Sequence, residues 1–274
     1  MPLSRVHRRV CHALAVVPPR VIGLLIAATA VTFGLGAPAG AQSLVDLELV
    51  LAADGSGSID DQELRLQRDG YAAAITHPSV LSAIAAGETG RIALAYVEWG
   101  AADSQHTIVD WTVIEGPDSA AAFAAELRRQ PRAARGWNSI SGAIDYSADL
   151  IGSNAFDAPR KVIDVSGDGP QRGGRPVEVA RDEAVLAGIT INALVLSTPG
   201  GGYPGPGGMP LADHYTLSVI GGFGAFVMTA DRGESFRNAI LAKMIREIAD
   251  KRPTGGPTGE PNGGPTDALQ ADRR

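Results

Sequence analysis

The stretch Leu44-Val45-Asp46-Leu47-Glu48-Leu49-Val50-Leu51-Ala52-Ala53-Asp54-Gly55-Ser56-Gly57-Ser58 decides how the chain is read. Leu44–Ala53 is an apolar run of the kind a strand shows when it is buried on both faces of a parallel sheet. It ends on an acid followed by two Gly-Ser pairs, and glycine permits a tight turn there. A helix is predicted next, over Asp60–Thr76, then a short helical stretch over Ser79–Ala86.

The alternation continues down the chain. Strands are predicted at Arg91–Trp99 and His106–Trp111, and the short gap between them makes this pair an antiparallel hairpin. Helices follow at Asp118–Arg129 and Ile140–Ile151, a strand at Lys161–Ser166, a helix at Pro176–Ala187 and a strand at Ile189–Leu196. After a Gly/Pro-rich loop, Thr198–Pro210, come a segment Asp213–Ile220, a strand Ala225–Thr229 and a helix Glu234–Ala249 with an apolar face. Strands alternating with helices imply an α/β fold: a doubly wound, mostly parallel six-stranded sheet ordered 3-2-1-4-5-6, with one antiparallel edge strand and helices on both faces. In such sheets ligands bind beyond the carboxyl ends of the strands where the order reverses. Here that point lies just after Ala53 and just after Ser166.

Of the 274 residues, 45% are hydrophobic, enough for a sizeable core. The net charge of −6 and the lack of a basic stripe argue against a nucleic-acid partner. Cys11 is the only cysteine, which excludes an internal disulfide and a cysteine-based zinc site. Residues 1–41 read as a signal peptide: Arg5, Arg8, Arg9 and Arg20, an apolar run Val21–Gly36, then Ala39-Gly40-Ala41 as a small-x-small cleavage site. The apolar run is shorter than the ~20 residues of a spanning helix. Cleavage after Ala41 removes four arginines and no acid, leaving 20 basic and 30 acidic residues, net −10, and no membrane span. A periplasmic or secreted location follows as the expectation. Residues 251–274 are Pro/Gly-rich and read as a disordered tail, so the expected domain is 42–250.

At the point where the sheet order reverses, Asp54, Ser56 and Ser58 alternate along one loop, and Gly167-Asp168-Gly169 ends the partner strand. Carboxylate and hydroxyl oxygens are hard ligands suited to Mg²⁺, Mn²⁺ or Ca²⁺. Asp54-Gly55-Ser56-Gly57-Ser58 resembles the Asp-x-Ser-x-Ser signature of the von Willebrand factor A (VWA) domain and its metal-ion-dependent adhesion site (MIDAS). Gly167-Asp168-Gly169 resembles the later Thr-Asp-Gly element of that family. Val162–Gly169 and Val219–Phe226 also resemble a bacterial VWA-like family of unknown function. The resemblance spans Leu44 to about Ala249. It implies a divalent cation, Mg²⁺ before Mn²⁺ or Ca²⁺, held directly by Ser56 and Ser58 and directly or through water by Asp54 and Asp168. It also implies a fifth ligand, usually Thr, in the stretch Gly136–Ile144, where this chain places Asn138 beside Ser139. Asn138 is read either as that ligand or as the cap of the following helix.

Other residues carry alternatives. Glu98 reads as a solvated rim charge or an outer acid of the site. Asp164, inside an apolar strand, needs a hydrogen-bonded partner. Trp137 reads as core or as a partner contact, and Tyr203 and Met209 stand in a loop expected to flank the site. The function expected is an exported, metal-dependent protein-binding module that captures an Asp or Glu carboxylate of an unknown partner. The alternatives are a structural VWA-like domain with a vestigial site and, behind it, a metal-dependent hydrolase. No nucleophile elbow with a His partner, P-loop or His-Glu-x-x-His motif marks an enzyme. Mass spectrometry of the exported protein is expected to find Gln42 as the first residue. An intact N-terminus in the membrane fraction would contradict the signal-peptide reading.

Overall fold

The computed structural model describes residues 42–197, 203–231 and 234–250. The signal peptide, the C-terminal tail and residues 198–202 of the Gly/Pro loop lie outside the described residues. Strands β1 (Ser43–Leu44) and β2 (Glu48–Asp54) open the chain, followed by helices α1 (Asp61–Ile75) and α2 (Pro78–Ala85). Next come β3 (Ile92–Trp99), β4 (Gln105–Ile114), α3 (Pro117–Arg129), α4 (Ile140–Ser153), β5 (Phe156–Asp157) and β6 (Lys161–Gly167). Then follow α5 (Val177–Leu186), β7 (Ile189–Ser197), α6 (Leu211–His214), a π turn Tyr215–Val219, β8 (Val227–Asp231) and α7 (Glu234–Ala249).

The main sheet has six strands in the order β4-β3-β2-β6-β7-β8. All its neighbours are parallel except the β3–β4 hairpin. This is the expected 3-2-1-4-5-6 order with one antiparallel edge strand. Every residue of central β2 is buried, and alternation along the strand divides its side chains between two cores. Leu49, Leu51 and Ala53 face Tyr71, Ile75, Phe236, Ile240 and Met244 on the side of α1 and α7. Val50 and Ala52 join Trp99, Ile140, Ile144, Val177 and Tyr215 on the side of α4 and α5. Among the described residues no helix is long and apolar enough to cross a membrane.

Two local expectations change, and one segment read without a type acquires one. The first strand, expected as Leu44–Ala53, is divided. Asp46 accepts the Thr89 and Arg91 N–H groups at 2.8 and 3.2 Å, so the chain turns aside there, and β1 pairs instead with β5 in a separate two-stranded sheet. The segment Asp213–Ile220 is a short helix running into a π turn, which buries Tyr215 and Val219 together. The last strand starts two residues late: the Phe226 N–H is spent on the Asn192 side chain at 3.2 Å, and contact with β7 starts from its carbonyl, which accepts the Ala193 N–H at 3.0 Å.

Asp164 has the partner its burial demands. The Lys243 ammonium of α7 reaches it and also donates to Glu247 at 2.5 Å, and Asn192 donates to Glu247 at 3.0 Å. One buried cation thus serves two buried carboxylates. Burial, then the Glu247 charge, raise the Asp164 pKa, and Lys243 opposes them. Lys243→Met keeps the packing volume but leaves both acids uncompensated, so it should cost about 3–5 kcal/mol in urea unfolding near neutral pH. The loss should shrink at about pH 5, where the abandoned carboxyls take up protons. A neutral effect at both pH values would contradict the role assigned to this lysine.

Candidate metal centre

The site is built by three loops: those at the carboxyl ends of β2 and β6 and the one between α3 and α4 that carries Asn138. The Asp54 carboxylate is fully buried. Its Oδ1 accepts the Ser56 N–H at 2.8 Å, and its Oδ2 faces the Asn138 Nδ2 at 3.3 Å and the Asp168 N–H at 3.5 Å. Ser56 Oγ lies 3.1 Å from Ser58 Oγ, and Ser58 Oγ donates to Asp168 Oδ1 at 2.9 Å. The structure therefore brings Asp54, Ser56, Ser58, Asn138 and Asp168 to one point, although 114 positions separate Asp54 from Asp168. Burial comes first in raising the Asp54 pKa, with the Asp168 charge second; burial likewise raises that of Asp168. No ion pair to Asp54 forms among the described residues. Nor is there among them a cluster of three or more His, Cys, Asp or Glu able to hold a metal. Any cation here must draw on hydroxyl and amide oxygens as well as carboxylates.

Asn138 does not cap α4. The cap is Ser139, whose Oγ accepts the Gly142 N–H at 3.2 Å, which also spends the hydroxyl of Ser139 away from the site. The Asn138 backbone carbonyl accepts from Arg172 N at 2.8 Å, and its side chain fits against Gly169, where a Cβ would come within 2.7 Å of Nδ2. Gly136, two residues earlier, has φ +86°, and a Cβ there would press on Ala101. Its carbonyl accepts the Gly57 N–H at 2.8 Å, tying the Asn138 loop to the Ser56 loop.

The residues that hold these loops were not visible in the sequence pattern. One Arg132 Nη donates to the Gly55, Ser56 and Ile59 carbonyls at 2.9, 2.9 and 2.6 Å. The Tyr215 hydroxyl donates to Gly169 O at 3.0 Å, the Trp99 indole to Ala52 O at 3.0 Å, and Gln67 to Asp54 O at 3.1 Å. Gln67 does leave a trace, as a polar residue on the buried stripe of α1; Arg132 lies in an irregular loop and leaves none. Glu98 is not a rim charge. It is fully buried and bonded to Arg68 at 2.6 Å. Trp137 is 67% exposed, so it is no core residue. Tyr203 is exposed beneath the Arg172 guanidinium, 5.5 Å from its ring centre, and Met209 is half-buried nearby.

Raised carboxyl pKa values mean that the native state binds more protons than the unfolded chain between the ordinary carboxylate range and neutrality. Stability must then fall as pH rises through that window. In chelator, the melting temperature should decline from about pH 5 to about pH 8. Asp54→Asn should flatten the decline and melt higher than the parent at the upper pH. A parent protein whose stability rises across this range would contradict the burial of these two acids.

Residues 44–252 match the family described as "Protein of unknown function (DUF1194)". No curated protein matches the chain. Among solved structures, proximal thread matrix protein 1 from the mussel byssus is similar at 14% identity and a TM-score of 0.53, covering 77% of this chain and 49% of that one. The pilus adhesin SpaC from Lactobacillus rhamnosus GG is similar at 12% identity and a TM-score of 0.53, covering 77% and 31%. A von Willebrand factor type A structure from Catenulispora acidiphila is similar at 12% identity and a TM-score of 0.49, covering 76% and 43%. The chain spans between about a third and a half of the length of these structures, and at such identities the likeness is one of fold. With residues 44–252 matched, the chain belongs to the DUF1194 family of proteins of unknown function, and it shares its doubly wound α/β fold with the mussel and pilus structures.

Proposed function

We propose that this is an exported protein-binding module of the adhesion type that works through a divalent cation. Asp54, Ser56, Ser58 and Asp168 hold the cation, Asn138 occupies the fifth position, and an open position takes an Asp or Glu carboxylate of the partner protein. One observation carries this reading: Asp54 is fully buried, its pKa is raised by burial and by Asp168, and no basic side chain among the described residues pairs with it. A buried carboxylate of that kind is costly unless a cation compensates it. The donor set fits the group. Hydroxyl and carboxylate oxygens are the hard ligands that Mg²⁺, Mn²⁺ or Ca²⁺ take, and Ser56, Ser58 and Asp168 already stand within hydrogen-bond distance of one another.

The partner side of the site is consistent with capture of an acid. Arg135, Trp137 and Arg172 are exposed around Asn138 in a chain of net charge −6. A bound cation would attract the partner carboxylate, while Trp137 offers apolar contact beside it. One protein of this fold is a pilus adhesin, and we extend the adhesive role to this chain. The second reading, a vestigial site, has one observation in its favour: the Asn138 amide donates to Asp54, which partly satisfies the carboxylate without metal.

A thermal-shift titration separates the two readings. Mg²⁺ or Mn²⁺ at a hundredfold excess over Kd should add about 2.7 kcal/mol to stability, and Asp54→Ala should abolish the shift while the protein stays folded. Asn138→Thr should tighten metal binding, since it exchanges an amide turned toward Asp54 for a hydroxyl. No shift in the parent, with a shift gained in Asn138→Thr, would support the vestigial reading. A partner captured equally well in excess chelator would overturn the metal-dependent mechanism.

A further inference from the structure

On the face of the molecule occupied by α1 and α3, a cavity of about 420 Å³ opens beside the Ser56 loop. Four arginines line it, Arg65, Arg68, Arg128 and Arg132, against two acids, Asp61 and Asp69. Asp61, Arg65 and Asp69 fall four residues apart along α1, with Arg68 three after Arg65, so they share one stripe of the helix. The other two arginines come from the end of α3 and from the loop after it. An arginine concentration of this kind runs against the acidic character of the chain as a whole.

The ion pairs in the cavity do not balance. Arg68 is spent: it bonds Glu98 beneath it, and its guanidinium also donates to the Gln130 and Pro131 carbonyls. Arg128 pairs with Asp69 at 2.9 Å and Arg132 with Asp61 at 3.0 Å, both through exposed carboxylates. Exposed pairs of this sort contribute little and exchange readily with a competing anion. Arg65 has no hydrogen-bond or ion-pair partner among the described residues. One positive charge is therefore left over, Arg128 is held by an exchangeable partner, and Arg132 offers the one Nη that faces Asp61 while its other Nη stays on the Gly55, Ser56 and Ile59 carbonyls.

We infer that this cavity is an oxyanion site, distinct from the candidate metal centre, that takes a phosphoryl group between Arg65, Arg128 and Arg132. Two guanidinium forks, Arg65 and Arg128, and a single Arg132 N–H from a third direction suit a group with three terminal oxygens better than a two-oxygen carboxylate. The volume lies within the range of small-molecule sites, so the phosphoryl group arrives either free or on a small organic body. Arg68 contributes field and holds the wall in place without touching the ligand.

Calorimetry on the full chain in chelator tests this apart from any metal, with inorganic phosphate and glycerol phosphate as the two probes. Saturable binding is expected for at least one probe, and tighter binding of glycerol phosphate would identify the carried group as the ligand. Arg65→Ala and Arg128→Ala, both at exposed positions, should each weaken it about tenfold, the loss of one charge-assisted contact. Sulfate should compete and chloride at equal ionic strength should not. No saturable binding of either probe at millimolar concentration would overturn the inference. So would binding that both substitutions leave unchanged.

Discussion

A carboxylate with no solvent access at the end of a central strand must find its compensation in the surrounding loops, and the upper rim of this domain is arranged around that demand at Asp54. One oxygen is bonded by the next loop residue but one, Ser56; the other is approached by groups from the Asn138 and Asp168 loops. These contacts are neutral donors. They lower the cost of burial without supplying positive charge, and the raised pKa of Asp54 expresses the remainder. A hard divalent cation is the species that we propose compensates it.

The same constraint explains why so much of the supporting structure is polar. Arg132 ties three carbonyls of the Ser56 loop with one nitrogen, and Tyr215 reaches across from the π turn to fix Gly169. Trp99 fills the space under Gly167, where a Cβ would collide with the Tyr215 hydroxyl. Loops held by side chains from distant elements keep their oxygens in place without a bound ligand, which lowers the ordering cost that binding would otherwise carry. Further from the rim, the buried charges are paired within the fold, Arg68 with Glu98 and Lys243 with Asp164 and Glu247. Asp54 differs from them in having no such partner among the described residues.

Periodicity made the sheet order and the helix layers legible, because parallel strands buried on both faces and helices with one apolar face leave strong patterns. The convergence of Asp54, Ser56, Ser58 and Asp168 was legible for the same reason: topology alone places the ends of β2 and β6 side by side. Pairings between distant residues left no such pattern. Glu98 was misplaced on the rim because its partner Arg68 stands 30 residues earlier, on a helix whose buried stripe tolerates an arginine. Asn138 and Ser139 are both good capping residues, so their order along the turn, which only the backbone path decides, determined which one faces Asp54. The break at Asp46 was hidden because its acceptors serve N–H groups that precede β3.

The most direct measurement is the anomalous scattering of a crystal grown with Mn²⁺. The account predicts a single peak bounded by Ser56 Oγ, Ser58 Oγ and the Asp168 carboxylate, with the Asn138 amide nitrogen turned away from Asp54. A structure with no peak at that point at millimolar Mn²⁺, and with Asn138 Nδ2 still facing Asp54, would contradict it.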